Sequence, residues 1–180
     1  SSSYFPDDAF RAYLKQFAGS DNKLHPAERN KVKEIDVHGK GIKTLEGIQY
    51  FSKLEKLYCY NNQLTELDVS QNPALQILIC YNNQLSSLGV SQNAALWRLN
   101  CSGNRLTSLD VRQNAALQEL YCYNNQLTKL DVSKNTNLTV LKCYENQLTS
   151  LDVSKTAVTV LEAGDNQIDI NVEETSRTFD

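Results

Sequence analysis

Five cysteines stand 21 residues apart, at Cys59, Cys80, Cys101, Cys122 and Cys143. Thiols at a fixed step could serve as disulfide partners, metal ligands, nucleophiles or core packing. An odd number leaves one thiol over in any disulfide scheme. No C-x-x-C pair or cysteine/histidine cluster is present to seat zinc. Phase favours packing. Each cysteine falls in one of LEKLYCYNNQL, LQILICYNNQL, LWRLNCSGNRL, LQELYCYNNQL and LTVLKCYENQL, two residues after a leucine and so on the same side of a strand. Buried free thiols act as small hydrophobes, so an inert, reduced ladder is expected, its thiols lacking the environment that makes cysteine reactive. A nucleophile would also need a base beside it, yet the two histidines, His25 and His38, precede the regular repeats. There is no glycine-rich phosphate loop, and catalysis is not expected.

The residues between the inward ones face the opposite way and carry the other candidate chemistry. One row reads Tyr58, Ile79, Asn100, Tyr121, Lys142, Glu162, and the next Tyr60, Tyr81, Ser102, Tyr123, Tyr144, Gly164. Beside them run Glu55, Gln76, Trp97, Gln118 and Lys56, Arg98, Glu119. These positions change from repeat to repeat while the frame does not, so the frame serves folding and the variable face is free for something else. Tyrosine offers rigid apolar area with a polar tip, and tyrosine, tryptophan and arginine dominate interface hot spots. The candidate ligand-binding set is therefore Tyr58, Tyr60, Ile79, Tyr81, Trp97, Arg98, Asn100, Tyr121, Tyr123, Lys142 and Tyr144. The competing explanation is that cross-strand tyrosine stacking only stabilises the sheet.

These residues must be positioned by a repeating element. The frame LxxLxCxxNxL followed by xxLDVSxN, at a period of 21, defines a leucine-rich repeat solenoid, an α/β fold with a parallel sheet on its concave face. Regular repeats begin at Leu54, Leu75, Leu96, Leu117 and Leu138. An irregular first repeat uses Val32, Ile35, Val37, Ile42 and Leu45. A last one starts at Val158, a step of 20, has Ala163 in place of cysteine, and ends at Ile168, Ile170 and Val172. Six strands in the two rows span about 24 Å at the usual strand spacing. Asn62, Asn83, Asn104, Asn125, Asn146 and Asn166 close each strand, where a ladder of amides can tie successive coils together. Asp68, Asp110, Asp131 and Asp152, interrupted by Gly89, read as turn-formers on the convex side. The return leg is too short for a full helix and should be extended or 3₁₀.

Residues 1–31 form an N-terminal helical cap, 32–172 a solenoid of about seven repeats, and 173–180 a polar tail with Phe179 as its one large apolar residue. Pro6 suits a first helical position with Asp7 and Asp8 near the positive end of the dipole. Phe10, Tyr13, Leu14 and Phe17 then share one face of a helix ending near Gly19. Pro26-Ala27-Glu28 opens a second, shorter helix. Such a pair covers the first core layer, which a solenoid otherwise exposes. FAGSDNKLHPAE resembles a decayed calcium loop: Asp21 and Glu28 occupy ligand positions, but Phe17, Gly19 and Asn22 stand where two oxygen ligands and a glycine are required. No metal or cofactor is expected. No C-terminal cap follows the repeats, as in a segment of a longer chain.

The net charge of −3, without a basic block, argues against nucleic acid, and no apolar run approaches the roughly 18 residues that span a bilayer. The stretch LTELDVSQNPALQILICYNNQL resembles the internalin family of bacterial surface proteins, in the subgroup whose repeats place cysteine at an inward leucine. The likeness covers roughly residues 32–172. The start, FPDDAFRAYL and EIDVHGKGIKTLEGIQYFSKLEKL, resembles the cap of secreted bacterial repeat proteins. The resemblance implies a bacterial, extracellular or cell-surface, non-enzymatic module of adhesin type, binding a protein or glycan on the concave face. A monomer is expected. The alternative is a passive spacer within a larger surface protein.

Overall fold

A computed structural model describes residues 3–168. Seven three-residue strands form one parallel sheet in chain order: β1 (Glu34–Asp36), β2 (Lys56–Tyr58), β3 (Ile77–Ile79), β4 (Arg98–Asn100), β5 (Glu119–Tyr121), β6 (Val140–Lys142) and β7 (Val160–Glu162). This is one strand more than the two tyrosine-bearing rows contain, because the irregular first repeat supplies β1. Leu57, Leu78, Leu99, Leu120 and Leu141 pair in register along one inward line. The 20-residue step into the last repeat leaves this line intact: Leu141 still pairs with Leu161. The missing residue is therefore taken from the return leg.

The interior consists of stacked columns. Cys59, Cys80, Cys101, Cys122 and Cys143 are free and fully buried, between columns headed by Leu54, Leu57, Leu64 and Val69. Burial pushes every thiol up from its ordinary value, to about 12 at Cys101 and about 12 at Cys143. Low dielectric disfavours the thiolate. The sulfurs are packing atoms.

Two amide ladders lock coil to coil. Asn104 shows the first: its Oδ1 accepts the Leu85 N–H of the preceding coil at 3.0 Å. Its Nδ2 donates to Cys80 O at 3.1 Å and to Cys101 O at 3.0 Å. The arrangement recurs at Asn83, Asn125 and Asn146, as the frame implies. The second ladder, Asn72, Asn93, Asn114 and Asn135, lies in the return leg and is completely buried. Asn93 Nδ2 donates to Val69 O and Asn72 O at 3.0 and 2.9 Å, while the Oδ1 of each member has no hydrogen-bond donor.

Outside the strands the backbone turns tightly. Asn61, Asn82, Asn124, Glu145 and Asp165 adopt φ of 51 to 55°, and Gly103 takes the equivalent place at 59°. Asparagine, aspartate and glycine tolerate this left-handed conformation; glutamate is the exception. The return legs contain i→i+3 turns such as Asn72 N–H to Val69 O and Leu75 N–H to Asn72 O, and a 3₁₀ turn at Ile48–Tyr50. Asp68, Asp110, Asp131 and Asp152 each accept the backbone N–H two residues on, as turn-formers do.

At the N-terminus, α1 (Asp8–Leu14) continues as a 3₁₀ turn through Phe17, and α2 (Pro26–Arg29) follows. The helix starts later than expected. Asp7, not Pro6, sets its start, because the Asp7 carboxylate caps the Ala9 and Phe10 N–H groups. Its other oxygen takes Lys43 N–H at 2.9 Å, and these backbone bonds hold its pKa down although partial burial, the largest influence, raises it. Phe5, Phe10 and Leu14 bury against the first coil, and Tyr13 Oη accepts Asp36 N–H at 2.9 Å. Gly47, at φ 107°, faces Phe5 so closely that a Cβ would lie 2.1 Å from its ring. The acids of the degenerate loop are engaged locally: Asp21 by Lys23 N–H and His25, Glu28 by His25 N–H. Ile170, Val172, Phe179 and the tail lie outside the described residues.

Candidate functional site: the concave face of the sheet

Strand alternation sends three rows of side chains away from the core. The pairing aligns Lys56, Ile77, Arg98, Glu119 and Val140 in the first, and Tyr58, Ile79, Asn100, Tyr121 and Lys142 in the second. His38, Tyr60, Tyr81, Ser102, Tyr123, Tyr144 and Gly164 form the third, two residues beyond the second. Tyr58, Tyr60, Tyr81, Trp97, Arg98, Asn100, Tyr121, Tyr123, Lys142 and Tyr144 are all half-buried. Ile79 differs: only 7% of it is exposed. It lies between Tyr58 and Asn100 in its row.

The third row is an aromatic stack. His38 lies on Tyr60 at 4.7 Å between ring centroids and 5° between planes. Tyr60 lies on Tyr81 at 4.5 Å and 13°, and Tyr123 on Tyr144 at 4.5 Å and 6°. Parallel strands about 4.8 Å apart impose this spacing. Tyr60, Tyr81, Tyr123 and Tyr144 are thus less open than alternation alone suggests, because neighbouring rings cover one another. Tyr81 has its pKa raised by burial first and then by Tyr60 and Tyr123; Tyr144 is raised in the same sense, by burial and then Tyr123.

The coil bearing β4 breaks the pattern. Asn100, Ser102 and Gly103 occupy places filled by Tyr121, Tyr123 and Asn124 in the following coil. Asn100 folds back, its Oδ1 accepting the Ser102 N–H at 3.1 Å and the Ser102 Oγ–H at 2.6 Å, and Ser102 is left 1% exposed. Gly103 permits close approach of Asn82, whose Oδ1 would lie 2.3 Å from an added Cβ.

Charges on this face neutralise one another across strands: Lys56 with Glu34 at 3.4 Å, Arg98 with Glu119 at 3.1 Å, Lys142 with Glu162 at 2.7 Å. Glu162 accordingly raises the Lys142 pKa. Arg98 also stands over the Tyr121 ring at 5.8 Å, and Tyr121 Oη donates to Glu119 at 3.2 Å. The result is a nearly neutral, aromatic and amide-rich surface. Among the described residues there is no group of three or more metal-binding side chains, and no helix is long and apolar enough to cross a membrane.

Sheet, columns and ladders together define a leucine-rich repeat protein. The profile described as Leucine Rich repeats (2 copies) matches residues 52–94 and 115–156. No curated protein matches. Among solved structures, the chain is similar to the functional domain of InlJ from Listeria monocytogenes, described as including a cysteine ladder, at 27% identity over 93% of this chain and 52% of that one, TM-score 0.46. It is similar to a leucine-rich repeat protein of Leptospira interrogans at 27% identity over 79% of this chain and 40% of that one, TM-score 0.70. It shares its fold with an internalin, InlF, of Listeria monocytogenes at 17% identity, covering 93% and 78%, TM-score 0.52. The chain spans about half the length of the first of these, 52%, and 40% of the second.

Proposed function

We propose that this chain is a non-catalytic recognition module, acting as a monomer at a bacterial cell surface or after secretion, that binds a protein ligand on its concave face. The observation carrying this reading is the set of tyrosines beside Trp97 and Arg98 on sheet positions that vary while the structural frame repeats. Rigid amphipathic side chains on a preformed sheet give contact area at low entropic cost. A protein is favoured over a glycan because in the third row Tyr60, Tyr81, Tyr123 and Tyr144 each have at least one face covered by a neighbouring ring, whereas sugars need open ring faces for their C–H groups. The cysteines take no part, being buried and held as thiols.

The second reading, a spacer without a ligand, draws on the same stacking and cross-strand charge pairing, which satisfy the face internally. Surface plasmon resonance with captured partners, alongside a glycan array, separates the two. Tyr81→Ala, Tyr121→Ala and Tyr123→Ala should each weaken binding by about 2 kcal/mol or more, as central anchors do. Lys129→Ala and Gln113→Ala, on exposed convex positions, should leave it unchanged. Binding lost only in the convex variants places the site on the other face; a protein that binds neither class of ligand is a spacer.

A further inference from the structure

The ring row is interrupted once between two walls. His38, Tyr60 and Tyr81 make one stack and Tyr123 with Tyr144 another. Tyr81 and Tyr123 are two strands apart, roughly 9–10 Å at ordinary strand spacing, and the coil between them has Ser102 where they have tyrosine. Each therefore turns toward Ser102 a ring face that no aromatic neighbour covers among the described residues. Gly164 is the other small residue of the row beyond Tyr81, and it adjoins one ring only, Tyr144.

We infer that this missing rung is a slot for one uncharged aromatic side chain of a partner protein, inserted face to face between Tyr81 and Tyr123. The inference rests on the concave face being the recognition surface. Register sets the size: a ring midway would lie about 4.8 Å from each wall, matching the 4.5 Å spacing of the existing pairs. The floor is built and polar. Asn100 lies folded over Ser102, using its Oδ1 for both serine donors, and its Nδ2 has no protein acceptor among the described residues. It can donate to a tyrosine hydroxyl or a backbone carbonyl brought in with the ring. Charge excludes an ionic occupant, since Arg98 and Lys142 are already paired with Glu119 and Glu162. Offset stacking on two faces selects an aromatic ring over an aliphatic side chain of similar area.

The test uses the full chain and small probes, followed by amide NMR at Asn100, Ser102 and Gly103. N-acetyl-tyrosine amide should give saturable upfield ring-current shifts there and bind about tenfold more tightly than N-acetyl-leucine amide. Ser102→Tyr supplies the absent rung from the chain itself; it should melt no lower than the parent and lose the response. Tyr81→Leu/Tyr123→Leu, which removes the walls and keeps an apolar row, should lose it as well and serves if Ser102→Tyr does not fold. Equal binding of the leucine probe, preferential binding of methyl β-glucoside, or a response surviving in the filled slot would overturn the inference. With a partner in hand, a Ser102→Tyr chain that still binds while Tyr121→Ala does not removes the slot and leaves the concave face as the site. Failure of every concave variant to matter removes the broader reading instead.

Discussion

The two asparagine ladders differ in one measurable respect. Replacing Asn104 by alanine orphans Leu85 N–H, whose acceptor is Asn104 Oδ1. It also removes two amide hydrogens shared among Cys80 O, Cys101 O and Ser102 O, which keep Asn83, Asn125 and the Asn82 N–H as donors. A buried orphan costs about 1–3 kcal/mol and each lost bond about 0.5–1.5, so Asn104→Ala should cost about 2–6 kcal/mol. Asn93→Ala also loses two bonds, to Val69 O and Asn72 O. Both carbonyls retain turn donors, the N–H groups of Asn72 and Leu75, and the donorless Oδ1 disappears with the side chain. Two lost bonds, about 1–3 kcal/mol, then stand against relief of a buried orphan worth about the same, leaving about 0–2 kcal/mol. Urea unfolding followed by circular dichroism, with equal m-values as the check on cooperativity, measures the difference. An Asn93→Ala variant as damaged as Asn104→Ala, or more so, would refute the reasoning.

Glu145→Asn should stabilise by about 0.5–1 kcal/mol in the same assay, since the residue sits at φ 52°, where asparagine is tolerated better. Gly47→Ala should undock the N-terminal helices from Phe5, seen as rapid proteolysis before residue 32 while the repeats keep their spectrum; slow proteolysis would contradict the contact. Native protein at pH 8 should leave its thiols unlabelled by a thiol reagent until denaturant is added, and fast native labelling would show the ladder open. The thiol pKa values also fix a pH dependence. Their folded values lie above the ordinary 9.0, reaching about 12 at Cys101. The unfolded chain therefore releases protons first, and stability present below pH 9 is lost as pH rises from about 9 toward 12. A midpoint unchanged across that range would contradict it.

Period and phase made most of the fold legible in the sequence. A cysteine two residues after an inward leucine can only point inward on a strand, and the closing asparagine recurs with it. Asn72, Asn93, Asn114 and Asn135 recur at the same 21-residue step, and that recurrence is the signal for the second ladder. A polar residue in a return leg reads as a solvated turn until packing shows the turn is inside. On the concave face, composition marks the tyrosines but not their mutual cover, which depends on neighbouring rings sharing one plane direction. Ile79 is buried on the same face: alternation assigns a face and does not give exposure on it. The start of α1 moved because a carboxylate at position 7 competes successfully with the proline before it.

The columns of amides and backbone bonds also make each coil a mechanical unit. Bonds of the Asn104 type reach back 19 to 24 residues, so a force pulling the ends apart loads one seam at a time. Releasing a coil of 21 residues frees a contour of roughly 70 Å. A chain pulled from its two ends would therefore lengthen in even increments from whichever end yields first.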